Sequence, residues 1–292
     1  MKARPALLPG IRPLWRDRHR VQLGVGHRRA VVLELADPAA GRLLDLLDGS
    51  RTEPDLVDAA ARLGIDGTAA RTLLADLAAH GLLIAADQLA VAGPEAGALA
   101  LDHDRPADIM RRRGGRRVVV GGAGLLPRLI AEGLREAGVG RVAARSPGHR
   151  LAGHDHPRVR VASSSLHVEV SAGRPADPGP RPYLQVVVHE GIVTVGPLQV
   201  PNLGPCLGCL RLRRADRDPA WPRLEKQLPP DITGEPCSAA TAYTAAGRVV
   251  AEAVALLDGE PPVLVGASVD IKGPHEIAVR RWDRHPACHC PP

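Results

Sequence analysis

The sequence contains no phenylalanine, and its 292 residues include only three tryptophans and two tyrosines. Its cores must therefore be built from leucine, valine, alanine and isoleucine. The same shortage argues against a protein that stacks the bases of a single-stranded nucleic acid on aromatic side chains. With 45% hydrophobic and 24% charged residues, the composition is that of a folded globular protein, and the length predicts two domains.

Lysine is scarce as well, with Lys2, Lys226 and Lys272 as the only three, so the formal charge of +6 rests almost entirely on arginine. The positive charge is concentrated at one end, because the first 35 residues hold eight basic residues and two acidic ones. This distribution predicts either an acidic partner for the N-terminal segment or a solvated basic surface.

No apolar run approaches the roughly 18 residues that a membrane-spanning helix needs, and the first residues lack the apolar segment of a secretory signal peptide. These absences predict a cytoplasmic protein. Four of the five cysteines lie in two close pairs. Because the cytosol keeps thiols reduced, these pairs are predicted to bind a metal rather than to form disulfides.

Residues 1–86 are predicted to form a small winged-helix-like α+β domain. Alternating and β-branched residues predict short strands at 13–17, 20–25 and 29–35. Leucines at helical spacing, with Thr52 and Asp66 as helix starts, then predict three helices and a last short strand within 38–85.

Residues 87–116 are predicted to be a linker with one helix, and residues 117–292 a Rossmann-like domain. That domain opens with a strand, an amphipathic helix and a second strand, which form one βαβ unit. A long helix is expected at 241–259, and further strands are expected at 167–170, 184–190, 262–271 and 275–282. The order predicts an α/β layered fold.

A glycine run, Gly121, Gly122 and Gly124, lies between the first strand and helix of this domain, where a nucleotide-binding turn occurs. The third glycine of that pattern is replaced by Pro127, and the position for an acidic ribose-binding residue is occupied by Arg145. An arginine there could instead meet the 2′-phosphate of NADP. The alternative is a Rossmann-like turn that serves packing and binds nucleotide weakly or not at all.

The cysteine pairs are Cys206-x-x-Cys209 and Cys288-x-Cys290. Two thiolate pairs on tight turns predict a tetrahedral structural zinc site that holds the C-terminal tail against the loop after residue 200. The short spacing of the tail pair allows His285 or His289 to replace one thiolate. The other alternative is four unligated buried thiols.

Cys237 stands apart, just ahead of the predicted long helix. A helix N-terminus lowers a thiol pKa and favours the nucleophilic thiolate, so Cys237 is a candidate catalytic residue. The sequence fixes no base beside it.

The second half of the chain resembles the ThiF/MoeB family of ubiquitin-activating-like adenylyltransferases. The resemblance covers about residues 110–292 and rests on four segments in family order: VVVGGAGLLPRLIAEGLREAGVGRV, VGPLQVPNLGPCLGCL, CSAATAYTAAGRVVAEAVALLDG and the final cysteine pair. The block at 205–228 is similar to ThiF-like proteins of actinobacteria that partner bacteriocin or azole-peptide cyclodehydratases. Residues 12–35 and 43–52 resemble the PqqD-like domain, which binds a precursor's leader peptide.

The resemblance implies that Cys206, Cys209, Cys288 and Cys290 bind the family's structural zinc, and that Cys237 lies near a cysteine that some members use covalently. It does not extend to the adenylation residues. Pro127 stands where the family has a small residue, Ala144 and Arg145 replace acidic residues, and the N-L-x-R-Q motif is missing. These changes argue against the binding of ATP and Mg²⁺.

Three functions follow as hypotheses. The leading one is a non-adenylating partner protein that docks a YcaO-class cyclodehydratase and adds a leader peptide as a strand to a sheet edge, framed by Val31, Leu33, Leu74 and Leu77. The alternative is an ATP-dependent adenylyltransferase that acts on a peptide or protein C-terminus. The third is a winged-helix DNA-binding protein, which is disfavoured because the predicted third helix carries only Arg71 and His80 as basic residues. ThiF-like proteins commonly dimerise, which makes a homodimer an expectation of the resemblance.

Overall fold

The computed structural model describes residues 4–26, 29–89, 93–145, 165–172, 181–228, 237–273 and 275–290. The chain divides into two compact units, Met1–Arg111 and Arg112–Pro292. This division falls within residues 87–116, the segment predicted to be a linker with one helix. In the first unit, Ala100 packs with Ala6 and Ile84 in a small cluster, so the segment after residue 86 is joined to the first strand.

The first unit combines short strands with short helices. In chain order, its elements are β1 (Pro5–Leu7), β2 (Pro13–Trp15), β3 (Arg20–Leu23), β4 (Val31–Glu34), a 3₁₀ helix (Pro38–Leu46), α1 (Glu53–Arg62), α2 (Gly67–Ala79), β5 (Leu83–Ala85), a 3₁₀ turn (Ala86–Leu89) and α3 (Pro94–Ala100). Helix α4 (Pro106–Gly114) crosses the division. Strands β2, β3 and β4 form an antiparallel sheet, and β1 pairs with β5.

Local sequence explains the helices of this unit. Helix α1 begins with a capping box between Thr52 and Asp55, and the Asp66 side chain accepts two backbone N–H groups at the start of α2. The apolar faces of these helices pack on the inner face of the three-stranded sheet, with Leu23, Leu56 and Leu77 fully buried.

Several elements of the first unit differ from the prediction, including α3, since residues 87–116 were expected to hold one helix and hold two. Residues 38–49 were expected to form an α-helix, but Pro38–Leu46 forms a 3₁₀ helix. Gly41 lies in its second turn, where a Cβ would collide with the Trp15 ring, so this segment is shaped by packing rather than by helix propensity. Strand β1 was not predicted, because three residues are too short for a visible alternation.

The second unit is a mixed α/β fold around a seven-stranded sheet. Its elements are β6 (Arg117–Gly121), α5 (Leu125–Glu136), β7 (Arg141–Arg145), β8 (Leu166–Ser171), β9 (Tyr183–His189), β10 (Ile192–Gln199), α6 (Leu207–Arg217), α7 (Trp221–Gln227), α8 (Ala239–Asp258), β11 (Ala267–Lys272) and β12 (Glu276–Arg281). The strand order is β12-β11-β10-β9-β8-β6-β7. Strands β7, β6, β8 and β9 run parallel, whereas β10, β11 and β12 continue the sheet in antiparallel fashion.

The main core lies between this sheet and the helices α5 and α8. Helix α8 is 20 residues long and has a mean hydropathy of 1.2. Within the described residues, no other helix is long and apolar enough to cross a membrane. Its buried side, which includes Ala245, Val249 and Ala253, packs in the core. Ser238 caps its start and Gly259, at a φ of +86°, ends it.

Candidate functional site

The two cysteine pairs meet at the start of α6. Cys206 is the residue before the helix and Cys209 lies in its first turn, so both thiols are on the same end of α6. Cys288 and Cys290 lie on the tail after β12, where Cys288 donates its N–H to the His285 carbonyl at 2.9 Å. The two pairs are thus adjacent in space, although Cys206 and Cys288 are 82 residues apart in sequence and Cys209 and Cys290 are 81 apart.

The distances between the sulfurs fit one tetrahedral metal ion. The Sγ atoms of Cys206 and Cys209 are 3.8 Å apart, those of Cys206 and Cys288 are 3.6 Å apart, and those of Cys209 and Cys290 are 3.5 Å apart. All four sulfurs lie within 4.8 Å of one another. A tetrahedron with metal–sulfur bonds of about 2.3 Å has edges of about 3.8 Å. The four thiols therefore could hold a metal ion without rearrangement of the backbone.

The thiols of the cluster differ in pKa. Desolvation opposes ionisation of Cys209, but hydrogen bonds with the backbone of His285 and Cys206 outweigh it and lower its pKa from 9.0 to about 7. A backbone hydrogen bond at Cys290 favours ionisation of Cys288, yet desolvation and the neighbouring thiols raise the pKa of Cys288 to about 12. Cys209 therefore forms a thiolate more readily than Cys288, and a metal ion would displace the protons that the thiols hold.

Neither histidine of the tail takes a place in the cluster. Nε2 of His285 lies 2.9 Å from the Asp216 carboxylate, and its Nδ1 accepts the N–H of Ala287 at 3.1 Å. The side chain of His289 is exposed. Among the described residues, the group that could hold a metal consists of the four cysteines alone.

The glycine run forms a tight connection between β6 and α5. Gly122 and Gly124 have φ values of +117° and +99°, which favour glycine. Gly124 is the residue before α5, and no side chain caps the helix there. The N–H groups at the start of α5 thus resemble those that bind phosphate in nucleotide-binding turns.

A carboxylate of the same chain lies against this turn. Glu169 on β8 is paired in register with Gly121, and a Cβ at Gly121 would collide with its carboxylate. The Glu169 carboxylate lies 2.8 Å from Nε2 of His167, whose ring meets Tyr183 edge-on at 5.5 Å. A carboxylate at this point provides no attraction for a phosphate. The sequence analysis did not single out Glu169 or His167.

Pro127 changes the turn in a second way. It is the third residue of α5 and is buried, and its ring approaches Gly122, where a Cβ would lie 3.0 Å from Cγ of Pro127. Because proline has no N–H, one of the donors at the helix start is missing. Arg145 is the last residue of β7 and pairs in register with Gly121, but its side chain lies outside the described part of the structure.

Cys237 immediately precedes the N-cap residue of α8. Its side chain is half-buried and packs against the main core. Burial raises the pKa of the Cys237 thiol above 9.0. The local environment therefore favours the protonated thiol at neutral pH.

The residues predicted to frame a peptide are mostly core residues. Leu33, Leu74 and Leu77 are at most 5% exposed and pack together beneath the three-stranded sheet, whereas Val31 is half-buried. Among the described residues, β4 is nevertheless an edge strand of that sheet. The edge is thus open to the backbone of another strand even though the leucine side chains are enclosed.

Comparison with solved structures finds this fold in heterocyclases and in MccB, among other chains. The structure of the heterocyclase TruD matches with a TM-score of 0.69 and 18% identity over 99% of this chain and 43% of that chain. A heterocyclase solved in complex with substrate and cofactor matches with a TM-score of 0.68 and 16% identity, over 99% of this chain and 40% of its own. E. coli MccB, solved with AMPCPP and MccA, matches with a TM-score of 0.61 and 11% identity over 99% of both chains.

The other comparisons give no relative. No protein-family model matches the chain, and no curated protein matches it. At identities of 11–18% the solved structures show a shared fold. The chain spans less than half the length of the two heterocyclase chains and nearly all of MccB.

Proposed function

We propose that this chain is a non-adenylating ThiF-like partner protein, which binds a precursor leader peptide and docks a YcaO-class cyclodehydratase in the biosynthesis of a ribosomal peptide natural product. The observation that carries this proposal is the glycine turn. The chain shares its fold with a heterocyclase and with MccB, but the Glu169 carboxylate lies against its glycine turn, and Pro127 offers no N–H there. Such a turn is poorly suited to a triphosphate.

The first unit supplies the peptide-binding part of the proposal, as a winged-helix-like, PqqD-like domain. Leu35 donates its N–H to the His19 carbonyl at 2.7 Å across the sheet. Because successive N–H groups of a strand point to opposite sides, the N–H groups of Val32 and Glu34 face away from β3. These two residues offer the free backbone donors and acceptors to which an incoming strand would pair.

Two substitutions at Val32 test this mode of binding. Val32→Pro removes an outward N–H, whereas Val32→Thr keeps the N–H and the β-branched shape. The full-length protein is titrated with a fluorescent leader peptide encoded beside its gene, and anisotropy is measured. We expect Val32→Pro to weaken binding at least tenfold and Val32→Thr to stay within about threefold of the wild type. Equal affinities for all three proteins would overturn strand addition at β4.

The partner role has its own assay. A YcaO-class cyclodehydratase encoded nearby is given the precursor peptide with and without this protein, and heterocycle formation is followed by the loss of one water per modified residue in mass spectrometry. We expect efficient cyclisation only when this protein is present. Equal cyclisation in its absence would contradict the partner role without affecting leader binding.

An active adenylyltransferase is the second candidate, because E. coli MccB, solved with ATP, shares the fold over 99% of its length. ATP–pyrophosphate exchange with a peptide bearing a free C-terminus separates the two functions. Exchange above the rate of a protein-free control would place adenylation first. We expect none.

We further propose that the metal at the four cysteines is a structural zinc ion. Four thiolate ligands at tetrahedral spacing leave no coordination position open for a substrate. The site also joins α6 to the tail, where Arg213 donates to the Arg284 carbonyl at 2.8 Å and Arg284 donates to the Gly204 carbonyl at 3.0 Å. Zinc would thus hold the tail in place and take no part in chemistry.

A further inference from the structure

A pocket lies on the antiparallel half of the large sheet, away from the glycine turn and the cysteines. It is enclosed by strands β9 to β12 and by helices α6 and α7, and its volume is about 420 Å³. Cavities of roughly 300–1,000 Å³ are typical of small-ligand sites. Two of the three tryptophans of the chain, Trp221 and Trp282, line it.

Arginine side chains stack on these tryptophans. The guanidinium carbon of Arg214 lies 5.2 Å from the Trp221 ring centroid and 5.8 Å from that of Trp282. Arg217 and Arg280 also lie over Trp282, at 5.5 and 5.6 Å. Desolvation lowers the pKa of Arg214, and its guanidinium lies against the faces of both tryptophan rings.

Two of the four carboxylates that line the pocket, Asp270 and Glu225, contact neighbouring side chains. Asp270 accepts from Arg280 at 2.7 Å and from the Thr194 hydroxyl at 2.7 Å. Glu225 lies 3.3 Å from Nε of Arg211. Both carboxylates favour the charged form of Arg214 through space, but neither forms an ion pair with it among the described residues. Of the other two carboxylates that line the pocket, Asp218 accepts the N–H of Ala220 at 2.9 Å and Glu190 is exposed.

Two donors of the pocket have no acceptor in the described part of the chain. Arg214 forms neither a hydrogen bond nor an ion pair there, and the indole N–H of Trp221 is buried without a partner. The buried N–H of Trp221 is unfavourable without an acceptor. Both groups line the same pocket, so a bound anion with two oxygens would satisfy both.

We propose that this pocket binds a carboxylate group, with the Arg214 guanidinium and the Trp221 indole N–H as its donors. The planar fork of arginine fits two carboxylate oxygens, and the tryptophan rings exclude water from the pair. The site does not depend on the proposed partner function. The carboxylate can belong to a small free acid or to the end of a peptide, and the volume admits either.

Isothermal titration of the metal-loaded, full-length protein at constant ionic strength tests the site. The probes are succinate, acetyl-diglycine with a free carboxylate, and the C-terminal amide of that peptide. Binding of succinate alone identifies a free acid as the source, and binding of the peptide acid in preference to its amide identifies a peptide end. If neither acid binds, or if the amide binds as well as the acid, the proposal is wrong.

Three substitutions locate the site. Arg214→Met keeps much of the stacking volume without the charge, and Trp221→Phe removes the indole N–H. Arg223→Met is the matched control, because Arg223 is an exposed arginine of α7 that does not line the pocket. We expect at least tenfold weaker binding for Arg214→Met, about threefold weaker binding for Trp221→Phe and no change for the control. Wild-type affinity in a folded, zinc-containing Arg214→Met protein would overturn the assignment.

Discussion

The four-cysteine cluster and the glycine turn are both sequence motifs of the second unit, but the structure gives them opposite characters. The cysteines, from α6 and the distant tail, converge at distances of 3.5–3.8 Å. The turn keeps the backbone shape of a phosphate site, yet its space is approached by Glu169 and Pro127 of the same chain. The fold thus brings the four thiols together, whereas it places Glu169 and Pro127 against the glycine turn.

The difference lies in what each motif needs from the rest of the chain. A tetrahedral metal site requires that four side chains from distant segments lie at the correct spacing, and the four thiols meet this requirement. A glycine turn also serves close packing between a strand and a helix. At Gly122 a Cβ would lie 2.6 Å from the Val170 carbonyl oxygen, so packing alone requires glycine there.

Loss of one thiol should have the largest effect. Cys209→Ser removes a buried ligand, and we expect the zinc content to fall from about one per chain to near zero and the second unit to lose roughly 5 kcal/mol or more of unfolding free energy. Metal analysis and urea unfolding measure the two quantities.

Cys237→Ser is the matched control for this thiol, because Cys237 lies outside the cluster. It should retain full zinc content. If Cys209→Ser keeps both zinc and stability, the four thiols do not form a metal site.

Substitutions in the glycine turn should be smaller in effect and should leave zinc untouched. Gly122→Ala places a methyl group against the Val170 carbonyl at a φ of +117°, and we expect it to cost about 2–4 kcal/mol. Gly124→Ala meets no heavy atom within 4 Å and should cost only its backbone strain, about 1–2 kcal/mol. Thermal unfolding of the two variants gives the comparison.

The reverse order of these two variants would contradict a turn kept for packing. If the turn binds a nucleotide, both Gly122→Ala and Gly124→Ala should abolish nucleotide binding, whatever the stability of each variant.

Much of the fold is predictable where a signal is local and repeated. The long helix expected at 241–259 occurs at Ala239–Asp258, with its end at Gly259, because twenty residues average out local exceptions. Strand β10 was not predicted, although Glu190 and Gly191, with φ values of +54° and +80°, form the two-residue connection typical of a hairpin. The positive φ of a glutamate is not a sequence signal, so the turn was missed.

The cysteine ligands could be predicted from the sequence, but the position of Glu169 beside the glycine turn could not. Cysteine has few roles in pairs, so residue type and spacing alone indicated the metal cluster. Glu169 becomes important only because β8 pairs with β6 in the register that sets it beside Gly121. Strand order and register depend on tertiary packing, which no local pattern in the sequence encodes.

Removing the obstructions should improve nucleotide binding modestly. The double variant Glu169→Gln with Pro127→Ala withdraws one negative charge and restores one helix N–H, so we expect ATP to bind about tenfold more tightly than to the wild type in isothermal titration. Glu136→Gln removes the same charge at the exposed far end of α5 and is the control.

An unchanged affinity in the double variant would show that Glu169 and Pro127 do not limit nucleotide binding. Tight binding of ATP to the wild type would show that the glycine turn is a working nucleotide site.

The smallest expected effect concerns the fifth cysteine. Because burial raises the pKa of Cys237, its thiolate fraction at neutral pH should be below that of an ordinary thiol, and it should react with iodoacetamide more slowly than glutathione at pH 7. The rate should keep rising above pH 9, and Cys237→Ser should abolish the reaction in zinc-loaded protein. A rate that reaches its plateau below pH 8 would instead mark Cys237 as the predicted nucleophile. A metal ion lowers the pKa of its thiol ligands by its charge, whereas the packing of Cys237 against the apolar core acts in the opposite direction.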